Sequence, residues 1–210
     1  MMVSELKKHN VDFDTDLKIV KRLYYEFCEE LKIKYGEINV PFDSSKIVKR
    51  PKEWLDIHHI CEIDSNGINK LDNIAVRTNK AIKENNTAEL KRLEPYNKAD
   101  QLIYANKIEH FVLHYLIDIY RGVKVASGGC WLILSNIFDM EYKTDFKLPN
   151  LIEIQKNKDN YYTKDEFNYL FKLARILRIE RGDDRYDRFI VKQSMFVSNT
   201  DKYFKMLGLI

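Results

Sequence analysis

The run Glu109–Ile117, EHFVLHYLI, constrains this chain most when it is read together with the doublet His58-His59. Four of the five histidines fall in these two places. His110 and His114 are spaced i, i+4 in an apolar run of helical pattern, so their side chains stack one above the other on a single helix face. Two imidazoles placed in this way can hold one metal ion from the same side. The doublet lies in WLDIHHICEI, a short apolar stretch that reads as a strand over Trp54–Ile63. Side chains alternate across a strand, so one histidine can face a metal while the other points elsewhere. Asp56 shares the strand face of His58 and is placed to accept a hydrogen bond that orients it.

Composition narrows the classes open to such a chain. Its 210 residues suffice for one large domain or two small ones. At 45% hydrophobic residues a core can form and wholesale disorder is excluded. A net charge of +3 excludes a polybasic protein, so a nucleic-acid surface has to come from local clusters. Seven glycines and four prolines point to a mainly helical chain. No apolar run reaches the roughly 20 residues that span a bilayer, so no membrane partner is expected. The polar start MMVSELKKHNVDFD has no apolar signal core. Cys28, Cys61 and Cys130 are widely spaced and odd in number. They argue against a disulfide framework and a paired-cysteine zinc knuckle, and a reducing cytoplasm fits them best.

Along the chain, the pattern Leu17, Val20, Leu23, Tyr24, Phe27, Leu31 predicts a first helix over about 15–35. Asp14 or Thr15 suits its N-cap and Gly36 its stop. KIVKRPK then places Lys46, Lys49, Arg50 and Lys52 just ahead of the doublet. It reads as a solvated loop or as an arm that contacts phosphate. Residues 65–93, rich in Lys and Asn, read as a weakly helical surface excursion. Pro95 stops what precedes it, and Leu102-Ile103-Tyr104 reads as a second short strand. Asn106 with Glu109 forms a capping-box pattern that opens the helix carrying His110 and His114. Glu109 also lies beside His110, where it could serve as an outer acceptor, although capping explains it more simply. SGGCWLILSNIF suggests a turn and then a buried helix. Thr163 with Glu166 opens a helix ending at Gly182. Arg175, Arg178 and Arg181 line one face there, either as part of a self-neutralising surface or as a DNA-facing row.

Taken together, Asp56–Glu62 and Asn97–Leu116 resemble the HNH, or ββα-metal, nuclease family, across about a sixth of the chain. The resemblance implies an α+β, mainly helical fold: a ββα-metal nuclease core, an insertion between its two strands, and helical flanking regions. It divides the chain into an N-terminal helical region (1–50), the nuclease core (51–120, insertion at about 65–95) and a C-terminal, mainly helical region that reads DNA (121–210). It implies His58, His110 and His114 as metal ligands and His59 as the general base that activates water. The family's Asn at the start of the second strand falls on Gln101, a departure. The orienting amide is therefore open among Gln101, Asn97, Asn106 and, further off, Asn73.

One divalent ion (Mg, Mn, Zn or Ni) is implied, and three imidazoles suit a transition metal better than magnesium. The implied activity is hydrolysis of phosphodiester bonds in double-stranded DNA, as in a restriction or defence endonuclease. A double-strand break then needs a homodimer or two successive nicks. The alternatives are a non-catalytic DNA-binding module with a closed structural metal site, or a helical interaction protein without metal.

Overall fold

The computed structural model describes residues 6, 8–42, 55–64, 74–122, 129–130, 133 and 173. The chain divides into two compact units, Thr15–Ser127 and Met1–Asp14 with Gly128–Ile210. The candidate site lies in the first unit. The described part is mainly helical with one small antiparallel sheet, an α+β arrangement. Among the described residues no helix is long and apolar enough to cross a membrane.

Helix α1 spans Leu17–Tyr35. Its cap is Asp16 rather than Asp14 or Thr15, because the Asp16 carboxylate reaches the Lys18 N–H at 2.8 Å. Asp14 instead uses its own N–H on Asp12. Val20, Leu23, Tyr24, Phe27, Cys28 and Leu31 are buried, as the helical spacing requires. Gly36 ends the helix at φ +80°, where a side chain would be strained, and its N–H returns to the Lys32 carbonyl.

Strand β1 is Asp56–His59, shorter than the stretch expected, and the chain turns at once into a 3-10 turn over Ile60–Asp64. The excursion that follows contains helices α2 (Ile74–Lys83) and α3 (Thr87–Leu93). Arg77 on α2 pairs with Glu89 on α3. Ile74 and Leu93 are fully buried against Cys61 and Tyr96. The excursion therefore has a small core of its own. Its polar composition reflects only its outer face.

After two 3-10 turns comes β2, Leu102–Ala105, paired antiparallel with β1. Opposed residues are Asp56 and Ala105, Ile57 and Tyr104, His58 and Ile103, His59 and Leu102. All four β2 residues are buried, because the ribbon is covered on both faces. One face packs with Ile38, Phe42, Leu55 and Ile57. The other meets α1 and helix α4, Lys107–Arg121.

Helix α4 opens with the expected capping box: Asn106 takes the Glu109 N–H, and Glu109 takes the Asn106 N–H, each at 2.8 Å. Glu109 also accepts from Lys34 and Tyr35 at the end of α1. One carboxylate thus fastens the start of α4 to the end of α1. Gly122 ends α4 at φ +79°. Phe111, Leu113, Tyr115, Leu116 and Ile117 are fully buried. Of the helices expected further on, only scattered positions such as Cys130, Ile133 and Leu173 are described, and all three are buried.

Asn106→Ala removes one half of the box and leaves the Glu109 N–H without its acceptor. We expect a loss of about 1 kcal/mol, read as a lower urea midpoint at unchanged slope.

Candidate metal centre

Alternation along β1 decides where each imidazole goes. Asp56 and His58 point to the α4 face, and Ile57 and His59 to the other. On α4, His110 and His114 occupy successive turns of the side facing β1. The ligand nitrogens of His58, His110 and His114 all lie within 4.8 Å of one another. Their rings meet at centroid distances of 5.2, 5.1 and 4.9 Å. Among the described residues no other side chain of metal-binding type joins this group, and His59 stands outside it.

Each cluster histidine has a partner on its outer side. The Nε2 of His58 lies 2.7 Å from the Tyr24 hydroxyl on α1. The Nδ1 of His110 is 2.8 Å from Asp56 Oδ2. With a carboxylate on the far side, this Nδ1 carries the proton and Nε2 keeps its lone pair. The Nε2 of His114 is 3.8 Å from Glu62 Oε2, an ion-pair distance rather than a hydrogen bond. Its Nδ1 is buried and has no hydrogen-bond partner among the described residues. A buried lone pair without a donor is an unfavourable arrangement that a cation would relieve.

Burial, and then the neighbouring imidazoles, hold His58 and His114 well below the usual histidine range. His58 and His114 are thus held as neutral imidazoles, the form that ligates metal. Three imidazoles backed by the Asp56 and Glu62 carboxylates fit a divalent transition ion, and the donor set is poor in the oxygens that magnesium prefers.

His59 has a different setting. It is 1% exposed, packed against Phe42 at 5.1 Å, and its Nε2 lies 3.0 Å from Asn97 Oδ1. Asn97 in turn donates from Nδ2 to Thr78 Oγ1 on α2 at 2.9 Å. With the amide oxygen towards the ring, Nε2 carries the proton and Nδ1 is the basic nitrogen. Burial lowers the His59 pKa to about 4, and the bond to Asn97 only partly offsets this.

The other sequence-derived residues are distributed as follows. Asp56 bonds His110, where the sequence had suggested His58. Asn97 meets His59, while Gln101 ends the 3-10 turn just before β2. Glu109 is occupied by the cap, Lys34 and Tyr35. Lys46, Lys49, Arg50, Lys52, Arg175, Arg178 and Arg181 lie outside the described residues, as does Asn73. Sequence reasoning missed Tyr24, Thr78 and Glu62. Tyr24 is indistinguishable in sequence from the core positions around it, and Thr78 and Glu62 carry no spacing signal. Compared with protein-family models, curated proteins and solved structures, the chain matches none.

The burial of His59 has a consequence for stability. Its folded pKa is about 4 and its ordinary value 6.5, so below pH 6.5 the unfolded chain binds more protons than the folded one. Stability is fully present above pH 6.5 and falls as pH drops towards 4. His58 and His114, also shifted down, act in the same direction. We expect the urea midpoint of the EDTA-treated protein to drop between pH 7 and pH 5, and a midpoint that holds or rises would contradict the neutral assignment.

Proposed function

We propose that this chain is a metal-dependent endonuclease of the HNH, ββα-metal, type that hydrolyses phosphodiester bonds in DNA, with a restriction or defence role. The observation that carries the reading is the open three-imidazole cluster of His58, His110 and His114, with His59 beside it in sequence but not in the cluster. A closed structural site would take a fourth protein ligand, and among the described residues the cluster has three.

In this reading β1, β2 and α4 form the catalytic core, and residues 60–101 are the insertion between its strands. His58, His110 and His114 would hold a divalent ion, which would supply positive charge for the developing pentacovalent phosphate and the leaving 3′ oxygen. Asp56 keeps the proton on the outer nitrogen of His110 and turns its Nε2 inward. His59, neutral throughout the physiological range, takes the proton from water through Nδ1 while Asn97 holds its far nitrogen. Asn97 thus has the part of the orienting amide, in preference to Gln101, because it is the amide in contact with the imidazole. The basic arms at 46–52 and 175–181 are the proposed DNA contacts.

A second reading rests on the same residue. A general base must reach its water, and His59 is only 1% exposed. This favours a DNA-binding module in which the metal is structural and His59 is a packed core histidine.

One experiment separates the two. Supercoiled plasmid and phage DNA are incubated with purified protein and Mg²⁺, Mn²⁺, Ni²⁺ or Zn²⁺, with and without EDTA, beside His59→Ala. The nuclease reading expects metal-dependent nicking that EDTA abolishes and that His59→Ala lowers about 10²–10⁴-fold with metal still bound. Bound metal with no cleavage of either substrate establishes the structural reading. Protein that takes up no metal excludes both.

A further inference from the structure

Tyr24 is spent on contacts that core packing does not require. It lies in the middle of α1, fully buried, yet its hydroxyl is directed at the strand that carries the doublet. Around that oxygen lie His58 Nε2 at 2.7 Å, the Ile60 carbonyl at 3.0 Å and the His59 carbonyl at 3.5 Å, with the Cys28 thiol, a weak donor, also beside it. A phenol has one proton and two lone pairs.

A carbonyl can only accept, so the contact with Ile60 needs that proton. If the phenol donated to His58 instead, two oxygen lone pairs would face each other at 3.0 Å in a dry interior. Donation to Ile60 leaves a phenol lone pair directed at His58, and the 2.7 Å contact is then satisfied by an N–H on Nε2. Both hydrogen bonds form only in this arrangement. It fixes His58 as the Nε2–H tautomer and leaves Nδ1 with the free lone pair.

We infer that Tyr24 is a positioning residue for the metal centre: its hydroxyl accepts the outer N–H of His58, sets that ligand's tautomer and ring angle, and ties the doublet to α1. The inference rests on the metal reading of the cluster. It assigns to a phenol the office that Asp56 has for His110. A metal-binding imidazole needs its outer N–H held, and His58, 1% exposed, is shut off from bulk solvent. Tyr24 bridges the ligand and the backbone just after it, so one hydroxyl sets both the ring and the exit of β1 into the 3-10 turn.

The test uses the full chain, stripped with EDTA, as wild type and Tyr24→Phe. Zn²⁺ affinity is measured by chelator competition, Co²⁺ binding by its visible ligand-field spectrum, and folding by circular dichroism. Loss of an outer partner weakens metal binding about 10–100-fold. We expect that loss in Tyr24→Phe, with an altered Co²⁺ spectrum and unchanged helix content. In parallel, long-range ¹H–¹⁵N spectra of the metal-free wild type, assigned with His58→Ala, should show His58 protonated at Nε2. Unchanged affinity and spectrum in Tyr24→Phe, or a His58 proton at Nδ1, overturn the role of Tyr24 and leave the metal centre standing. Wild-type protein that binds neither ion overturns the metal centre and this inference with it.

Discussion

The period of two along β1 is the constraint on which the rest of the site depends. Adjacent histidines in a strand must face opposite sides, and pairing with Ile103 and Leu102 on β2 decides which side each takes. His58 goes to α1 and α4, where it meets His110, His114 and Tyr24. His59 goes to the side of Phe42 and Asn97. A register slip of one residue would exchange the two settings. The slip is opposed by packing on both faces of β2, all four of whose residues are buried. The arrangement of the two imidazoles is therefore a property of strand register before it is one of any single contact.

Electrostatics then distinguishes the two faces. On the α4 side, burial and mutual repulsion keep His58 and His114 neutral. The two carboxylates nearest them, Asp56 and Glu62, stand behind His110 and His114. Lone pairs are thus directed inwards while negative charge is held one layer out, a distribution suited to a cation at the centre. On the His59 side no carboxylate takes part in the bonded chain, which runs from imidazole to amide to hydroxyl through Asn97 and Thr78. Such a neutral chain orients a ring without charging it, so burial rather than a neighbour sets its proton affinity. On the proposed nuclease reading, these are the separate requirements of a ligand and a base.

The elements that local rules specify were legible in the sequence. Apolar spacing predicted α1 and α4, the Asn106–Glu109 pair predicted the start of α4, and Gly36 predicted the stop of α1, which it makes at positive φ. The i, i+4 pair and one member of the doublet, His58, were readable as one cluster because helix and strand geometry fix where such side chains point. The partners were not readable. Tyr24 meets His58 across 34 residues, Asp56 meets His110 across 54, and Asn97 meets His59 across 38. Contacts of that separation depend on how elements dock, and no periodicity encodes docking. Asp56 shows the limit clearly: its strand face was deduced correctly, but the imidazole it meets belongs to the helix packed on that face. A polar group at an apolar position, as in Tyr24, carries no mark of what its hydroxyl will reach.

The segment between the strands shows how composition misleads when a contact comes from one residue. Its Lys and Asn content suggested a surface excursion, yet Ile74 and Leu93 are fully buried and Thr78 is 2% exposed. Thr78 is the residue through which α2 meets Asn97, and Asn97 is the residue that meets His59. The chain between β1 and β2 thus returns to build the wall opposite the histidine cluster. A merely tolerated surface loop would have no reason to bury a threonine hydroxyl on an amide that holds a histidine, because leaving that polar group unpaired in the interior would be destabilising. Helix α2 lies where Thr78 completes the imidazole–amide–hydroxyl chain, and Leu93 of α3 packs in one cluster with Ile74 of α2. Whatever chemistry His59 performs, its orientation depends on a segment whose sequence shows almost nothing of that role.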